Sequence, residues 1–175
     1  MWLARPYAQV TLDAVAAGAA VSRQTLLRHF GSKNGLAMAV VDWQRPIEEA
    51  LREVEPGDGD AAVHRLIARY EVMGDANIRV LELKGRVPAA DHLISEGQQS
   101  HRAWIIRTFA QHLRGQSRGT REHLTLALYA ATDVTVWKVL RRDFGRNALE
   151  VEAIVGRLVS GVLCNVEAHV PQEEP

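Results

Sequence analysis

The chain has 175 residues and a formal net charge of zero, and its 47% apolar and 24% charged residues exclude a disordered protein. It contains no apolar run near the ~18 residues of a membrane-spanning helix, and residues 1–10 lack the pattern of a secretory signal. The single cysteine, Cys164, excludes an internal disulfide and a cysteine-based metal site. We therefore expect a cytoplasmic protein that has no membrane partner.

The charge is unevenly divided along the sequence. Residues 1–45 contain five basic and two acidic side chains, a net charge of +3, whereas residues 46–175 contain 16 basic and 19 acidic ones, a net charge of −3. A basic N-terminal part is consistent with a face that binds nucleic acid. Ordinary variation of surface charge explains a difference of this size equally well.

The first two helices are predicted from their capping residues. Thr11 can cap a helix that runs to about Gly18, and Ser22 can cap another that ends at Phe30. Residues 19–21 form the turn between them. Five apolar side chains can form a small core beneath this pair: Leu12, Val15, Val21, Leu26 and Phe30.

Helical patterns continue through the rest of the chain. An apolar stripe over residues 33–55 predicts one long helix, in which Pro46 should cause a kink or a break. Asp60 can cap the next helix, which should end near Met73 before a bend at Gly74. The remaining predicted helices cover residues 77–84, 91–113, 120–144 and 148–169.

The last predicted helix carries a wide apolar stripe. Asn147 and Glu150 fit a capping box at its start. The stripe consists of Val151, Ile154, Val155, Leu158, Val159, Val162, Leu163 and Val166. Because this stripe is wider than one covered side requires, we expect the helix to be buried both by its own core and by a second subunit.

The second helix offers side chains of the types that read DNA. Six of its residues are expected to be exposed: Arg23, Gln24, Thr25, Leu27, Arg28 and His29. A helix enters the major groove, where arginine suits guanine, glutamine suits adenine, and threonine contacts a thymine methyl group or a phosphate. Residues 11–30 therefore predict a helix-turn-helix that binds double-stranded DNA.

Several short sequences lie at a specific spacing from one another between Val10 and Leu36. They are Val21-Ser22, Thr25-Leu26, Arg28-His29-Phe30, Ser32-Lys33 and Leu36 itself. Together they resemble the DNA-binding signature of TetR-family transcriptional regulators. The number of helices and the two long terminal helices are also similar to that family.

The resemblance implies an all-α protein with a helix-turn-helix DNA-binding domain in residues 1–45 and a helical ligand-binding and dimerisation bundle in residues 46–175. It implies a homodimer, formed through helices 120–144 and 148–169, that represses transcription at a DNA operator until a small-molecule effector releases it. Thr11 and Lys33 would then approach phosphates, Ser22 would cap the recognition helix, and the exposed residues of that helix would face the groove. No cofactor is implied.

The sequence departs from the family pattern near its beginning and in the turn. Family members usually have a full helix before the position of Thr11, whereas Arg5-Pro6-Tyr7 resembles only the exit of that helix, so we expect most of it to be lacking. Ala20 stands where glycine is usual, and alanine is strained if this position needs a positive φ. Leu27 stands where tyrosine is common. If DNA binding is lost with the first helix, the alternative is a dimeric ligand-binding protein.

Residues in the second half of the chain are candidates for the effector pocket. The proposed lining is apolar with a few polar groups, and it consists of Tyr70, Met73, His101, Trp104, Arg107 and Trp137. Aromatic residues at helical spacing more often form an ordinary packed core, and the sequence alone leaves both interpretations open.

Neither catalysis nor metal binding is predicted. The chain contains none of the short sequences typical of serine hydrolases, phosphate-binding loops, dinucleotide-binding loops or zinc peptidases. Its seven histidines do not pair at the spacing of metal ligands on a helix. We therefore predict a regulator and not an enzyme.

Overall fold

The computed structural model describes residues 7–168, and only the backbone of residues 165–168. Regular structure in this range is helical, as predicted. A 3-10 turn at Tyr7–Gln9 comes first, and a π-helical turn at Val139–Asp143 follows α8. The helices are α1 Leu12–Gly18, α2 Arg23–Phe30, α3 Lys33–Leu51, α4 Gly59–Leu81, α5 Pro88–Thr108, α6 Ala110–Leu113, α7 Arg118–Thr132, α8 Val134–Lys138 and α9 Ala148–Ala168.

Some of the predictions concern the ends of the chain. Of the predicted helix exit Arg5-Pro6-Tyr7, only Tyr7 is among the described residues, and it begins the 3-10 turn. The predicted end of the last helix at residue 169 also lies outside the described residues. Between residues 7 and 168, every helix is too short or too polar to cross a lipid bilayer.

The described chain divides into two compact units. The first comprises residues 7–50 and 75–98, and the second comprises residues 51–74 and 99–168. The helix-turn-helix lies in the first unit, and the residues proposed for an effector pocket lie in the second. Because these units are defined by compactness alone, the functional division at residue 45 stays a prediction.

The first unit contains a small apolar core beneath α1 and α2. Ala16, Leu26 and Leu36 are its buried members, and Leu12, Val15 and Val40 pack against them. The prediction that Val21 and Phe30 belong to this core is wrong, because these side chains are 40% and 37% exposed. Leu36 and Val40 of α3 cover the core in their place.

The beginning of α5 also belongs to the first unit and is joined to α3 by polar contacts. The Asn34 side-chain oxygen accepts a hydrogen bond of 2.7 Å from the backbone N–H of Ala89. This N–H lies in the first turn of α5, where no helical carbonyl can satisfy it. Further along the two helices, Arg45 forms an ion pair with Glu96. Helix α3 therefore supports both the helix-turn-helix and α5.

The second unit has a larger core that is drawn from α4, α5, α7, α8 and α9 and from Phe109. Among its most deeply buried side chains are Leu66, Ile67, Ile105, Phe109, Leu128, Trp137, Val151 and Val155. Burial of a large apolar side chain contributes ~2 kcal/mol, so this convergence of apolar faces is the main source of stability in the unit.

Two predicted breaks in helices do not occur. Helix α3 continues through Pro46 to Leu51, so the break predicted there is wrong, whereas the kink, which was the other possibility, stays a prediction. Helix α4 runs unbroken through Gly74, so the helices predicted to end near residue 73 and to begin at residue 77 are one. Gly74 is a contact site and not a bend, since a Cβ atom there would lie 2.3 Å from the Trp137 ring.

Two predicted long helices are broken instead. The helix expected over residues 91–113 ends at Thr108, and α6 begins after Phe109, which is buried. The helix expected over residues 120–144 ends at Thr132, because Asp133 has extended backbone angles. The Asp133 carboxylate accepts a hydrogen bond of 2.8 Å from the N–H of Thr135 and so caps α8.

The predicted caps of the last helix and of α4 have different outcomes. The capping box of α9 is confirmed, since the Asn147 side chain accepts from the N–H of Glu150 at 3.0 Å and Glu150 accepts from the N–H of Asn147 at 2.9 Å. The prediction that Asp60 caps α4 is wrong. Asp58 accepts the hydrogen bond from the N–H of Ala61 at 2.9 Å, because the helix begins at Gly59.

Candidate nucleic-acid interface

Helix α1 begins at the predicted cap. The Thr11 hydroxyl accepts a hydrogen bond of 3.1 Å from the N–H of Ala14, and Asp13 lies in the first turn, where the helix dipole favours a negative charge. Thr11 is exposed, so its hydroxyl stands beside the open N-terminus of α1. This is the position that the family resemblance assigns to a phosphate contact.

The turn between α1 and α2 requires a left-handed residue. Ala20 has a φ of +55°, and the N–H of Val21 donates to the carbonyl of Ala16 at 3.0 Å. This is the hydrogen-bonding pattern with which helices commonly end at a glycine. The expectation that Ala20 is strained is confirmed, and the strain amounts to roughly 1 kcal/mol because the alanine Cβ crowds its own backbone.

Ser22 caps helix α2, as predicted. The Ser22 hydroxyl accepts a hydrogen bond of 3.0 Å from the N–H of Thr25 and also lies 2.9 Å from the Thr25 hydroxyl. Thr25 is half-buried, and its hydroxyl is engaged with this cap. Leu26, on the next position, is buried in the small core and fixes which side of α2 faces outward.

The outward side of α2 presents most of the predicted reading residues. Its exposed side chains are Arg23, Gln24, Leu27, Arg28 and His29. Arg23 Nη1 lies 3.2 Å from Asp13 Oδ2, and both side chains are more than half exposed. An ion pair of this kind contributes only ~0–1 kcal/mol, so the Arg23 guanidinium can exchange Asp13 for another partner at little cost.

The end of α2 is packed closely against the start of α3. The Ser32 hydroxyl accepts a hydrogen bond of 3.0 Å from the N–H of Gly35 and so caps α3. A Cβ atom at Gly35 would lie only 2.1 Å from the carbonyl oxygen of Phe30. Glycine is therefore required at this position, and it holds the C-terminal end of α2 against α3.

Lys33 is engaged inside the first unit. Its Nζ donates a hydrogen bond of 2.5 Å to the carbonyl oxygen of Tyr7 and lies 4.1 Å from the centre of the Tyr7 ring. The side chain is half-buried, and burial lowers the pKa of Lys33 below its ordinary value. Tyr7 was not a candidate in the sequence, because nothing local to it predicts a contact with a residue in α3.

The residues proposed for an effector pocket lie in the second unit and differ in burial. Tyr70, His101, Trp104 and Trp137 are buried, Met73 is half-buried, and Arg107 is exposed. The His101 ring stacks on the Trp104 ring with the centroids 5.3 Å apart, and Tyr70 lies 6.1 Å from Trp137. Within the described chain, the buried aromatic members therefore pack on one another in pairs.

His101 makes polar contacts that the sequence did not predict. Its Nε2 lies 2.9 Å from Thr132 Oγ1, and its Nδ1 lies 3.4 Å from Arg52 Nη1. Burial first, and then the positive charge of Arg52, lower the pKa of His101 to about 3. His101 is therefore neutral at physiological pH. Arg52 and Thr132 are distant from it in sequence, so no local pattern identifies them.

Trp137 is held by another polar group that the sequence did not identify. Its Nε1 donates to Glu71 at 2.8 Å, and Arg141 Nε donates to the same carboxylate at 3.0 Å. Burial opposes ionisation of Glu71, but the hydrogen bonds from Arg141 and Trp137 outweigh it and hold the pKa of Glu71 below its ordinary value. The Arg142 guanidinium lies 4.7 Å from the centre of the Trp137 ring.

An open cavity of about 500 Å³ in the second unit lies elsewhere, at the surface between α4 and α9. Val63, Leu149 and Gly156 are among its lining residues, and none of the residues proposed for the effector pocket belongs to that lining. Across the residues that the structure describes, no cluster of histidine, cysteine or acidic side chains could hold a metal ion.

Comparison with known proteins identifies the segment that contains this interface. Residues 1–40 match the family model described as bacterial regulatory proteins, tetR family. The match includes α1, α2 and the beginning of α3, and it ends before the second unit begins. No curated protein and no solved structure matches the chain.

Proposed function

Because this chain belongs to the TetR family of bacterial regulatory proteins and is a DNA-binding transcriptional regulator, we propose that it is a repressor that a small-molecule effector releases from its operator. The repressor acts by occupying a pseudo-palindromic operator as a homodimer. Its action needs no covalent chemistry, since occupancy alone excludes transcription. The DNA-binding face, the dimer and the effector site are argued separately below.

The exposed side of α2 is the observation that carries the proposal. Arg28 and Gln24 project from the side of α2 opposite the buried Leu26, in a helix short enough to lie in the major groove. Arg23 adds a second cation at the N-terminal end of the helix, where side chains reach base edges. Thr11 is proposed to meet a phosphate, and His29 and Leu27 to meet the walls of the groove.

Operator binding is tested by titrating the full chain with duplex DNA from the region upstream of its own gene at several salt concentrations. Each phosphate contact contributes ~0.9 to the slope of log affinity against log salt, so Arg28→Ala should weaken binding and flatten that slope. Arg114→Ala removes the same charge from an exposed loop of the second unit and should leave both quantities unchanged. If the full chain binds no duplex, the alternative of a ligand-binding dimer without DNA binding is favoured.

Dimerisation through α7 and α9 is supported by apolar residues that the described chain leaves exposed. On α9, Leu158 is 43% exposed, and on α7 Leu126 is 51% exposed. These helices also pack against each other within the chain, so a second copy would cover their outer sides.

Light scattering at micromolar concentration should report about twice the chain mass. Leu158→Glu should reduce it to the mass of one chain, because an unpaired carboxylate is costly in an apolar interface. Val72→Glu is the matched control, since Val72 is 67% exposed on α4, outside the proposed interface. A wild-type monomer would contradict the proposal.

The effector is proposed to be an apolar or amphipathic small molecule that binds beside the aromatic residues of the second unit. Tyr70, Trp104 and Trp137 supply apolar faces, and His101 supplies a neutral polar group, which is the usual composition of a small-molecule site. The test is a screen for compounds that dissociate the operator complex. Such a compound should dissociate the complexes of the wild type and of Arg107→Ala, since the Arg107 side chain is exposed. It should dissociate the complex of Trp104→Leu less effectively.

A further inference from the structure

The contact between Lys33 and Tyr7 joins two parts of the first unit that are separate in sequence. Lys33 is the first residue of α3, and Tyr7 begins the 3-10 turn that precedes α1. The Lys33 ammonium donates to the Tyr7 carbonyl at 2.5 Å and lies over the Tyr7 ring, 4.1 Å from its centre. Two favourable contacts, a charge-assisted hydrogen bond and a cation–π contact, therefore hold this cation.

The same carbonyl determines how the chain enters α1. The Tyr7 oxygen also accepts a hydrogen bond of 3.2 Å from the N–H of Val10, which closes the turn. Val10 is 1% exposed, and Thr11, the next residue, caps α1. Fixing the Tyr7 carbonyl therefore fixes the burial of Val10 and the position of the N-terminus of α1.

We propose that Lys33 is a positioning residue for DNA binding and not a phosphate ligand. Its ammonium fastens the turn at Tyr7–Gln9 to the start of α3 and so holds the Thr11 end of α1 where it meets the DNA backbone. One N–H of the ammonium is bonded to the Tyr7 carbonyl and the Tyr7 ring covers another side of it, so a phosphate would have to share this cation with both. This inference rests on the operator binding proposed above, although part of its test needs no DNA.

The first test compares the salt dependence of operator binding by full-length variants. Lys33→Met keeps the length of the side chain but removes its charge, and it should lower the affinity about tenfold while the slope against salt stays within ~0.3 of the wild type. Arg28→Ala should lower the slope by ~0.9 for each lost contact. If Lys33→Met lowers the slope as much as Arg28→Ala does, Lys33 is a phosphate ligand and the inference is overturned.

Lys33→Arg tests whether the contact itself matters. Arginine can donate to the Tyr7 carbonyl and stack on the Tyr7 ring, so this variant should recover the affinity to within about threefold of the wild type. Binding as weak as that of Lys33→Met would mean that the contact does not position the interface, and it would overturn the inference.

The second test is made on the protein without DNA, so its result does not depend on whether the protein binds an operator. Hydrogen exchange of the Val10 amide should become about tenfold faster in Lys33→Met, because the carbonyl that it bonds loses its second partner. Exchange in Arg28→Ala should equal that of the wild type. Unchanged exchange in Lys33→Met overturns the inference, whereas absence of DNA binding by the wild type would contradict only the proposed function.

A third comparison separates positioning from a simple loss of stability. Val40 packs on the small core of the same unit, so Val40→Ala destabilises that unit while it leaves the Lys33 ammonium in place. Both variants are measured at a temperature where unfolding shows them to be fully folded. Lys33→Met should then bind the operator more weakly than Val40→Ala, and equal binding would overturn the inference.

Discussion

Acid should destabilise the second unit through His101, whose surroundings oppose its protonation. The side chain is 5% exposed, and its Nε2 lies 2.9 Å from Thr132 Oγ1. The Thr132 hydroxyl donates its own hydrogen to the carbonyl of Leu128 at 2.6 Å, so it must accept from His101. His101 therefore carries its single proton on Nε2, and Nδ1 faces the Arg52 guanidinium. A second proton would be buried beside a cation.

The size of the effect follows from the two pKa values. Burial, and then the charge of Arg52, lower the pKa of folded His101 from 6.5 to about 3. The unfolded chain thus takes up a proton first as the pH falls, so the stabilisation is complete above pH 6.5 and is lost progressively towards pH 3. Between pH 7 and pH 5, this difference reduces the free energy of unfolding by about 2 kcal/mol.

Urea unfolding followed by circular dichroism at the two pH values measures this loss. His101→Gln keeps a hydrogen-bond donor near Thr132 but does not titrate, so the part of the pH dependence that is due to His101 should disappear. His123→Gln is the matched control, because it removes one imidazole from an exposed position and leaves His101 in place. If His101→Gln loses as much stability on acidification as the wild type, the reasoning is refuted.

Two further predictions concern the backbone of the helix-turn-helix. Ala20→Gly should raise the free energy of unfolding by about 1 kcal/mol, because glycine adopts a positive φ without strain, and a lower melting temperature would contradict this. Gly35→Ala should destabilise the first unit by about 1–3 kcal/mol and weaken operator binding, since its Cβ would collide with the Phe30 carbonyl. Gly97→Ala, where a Cβ meets nothing within 4 Å, should be neutral or stabilising in the same thermal and binding measurements.

The helix-turn-helix could be predicted from sequence because its determinants are local. The hydroxyls of Thr11 and Ser22 each accept from an N–H three residues further on, so the chain around each cap contains both partners. The strain at Ala20 is also local, since it depends on how α1 ends. Residues of this kind reveal a motif in a single sequence, and all of them lie within residues 1–40, which match the family model.

Contacts between distant segments could not be predicted in the same way. Phe30 was assigned to the small core, yet Leu36 and Val40 occupy it, and only the path of α3 decides between them. The Asn34 side chain caps α5 at Ala89, which is 55 residues away. Sequence patterns specify that a side chain is polar or apolar, but they do not specify the partner that a helix path brings to it.

The aromatic residues of the second unit illustrate why core and pocket cannot be distinguished by spacing. Helix α7 ends at Thr132 because Asp133 is extended, so the Thr132 carbonyl has no N–H of a following helical turn to bond. The buried Tyr70 hydroxyl donates to this carbonyl at 2.9 Å. The break at Asp133 and the buried tyrosine hydroxyl therefore belong to one arrangement. The carbonyl that the break leaves unbonded accepts from the hydroxyl, so neither buried polar group lacks a partner. Sequence periodicity predicts helices but not the residues at which they end, so it cannot reveal this arrangement. For the same reason, periodicity cannot show whether Tyr70 faces a ligand or a neighbouring helix.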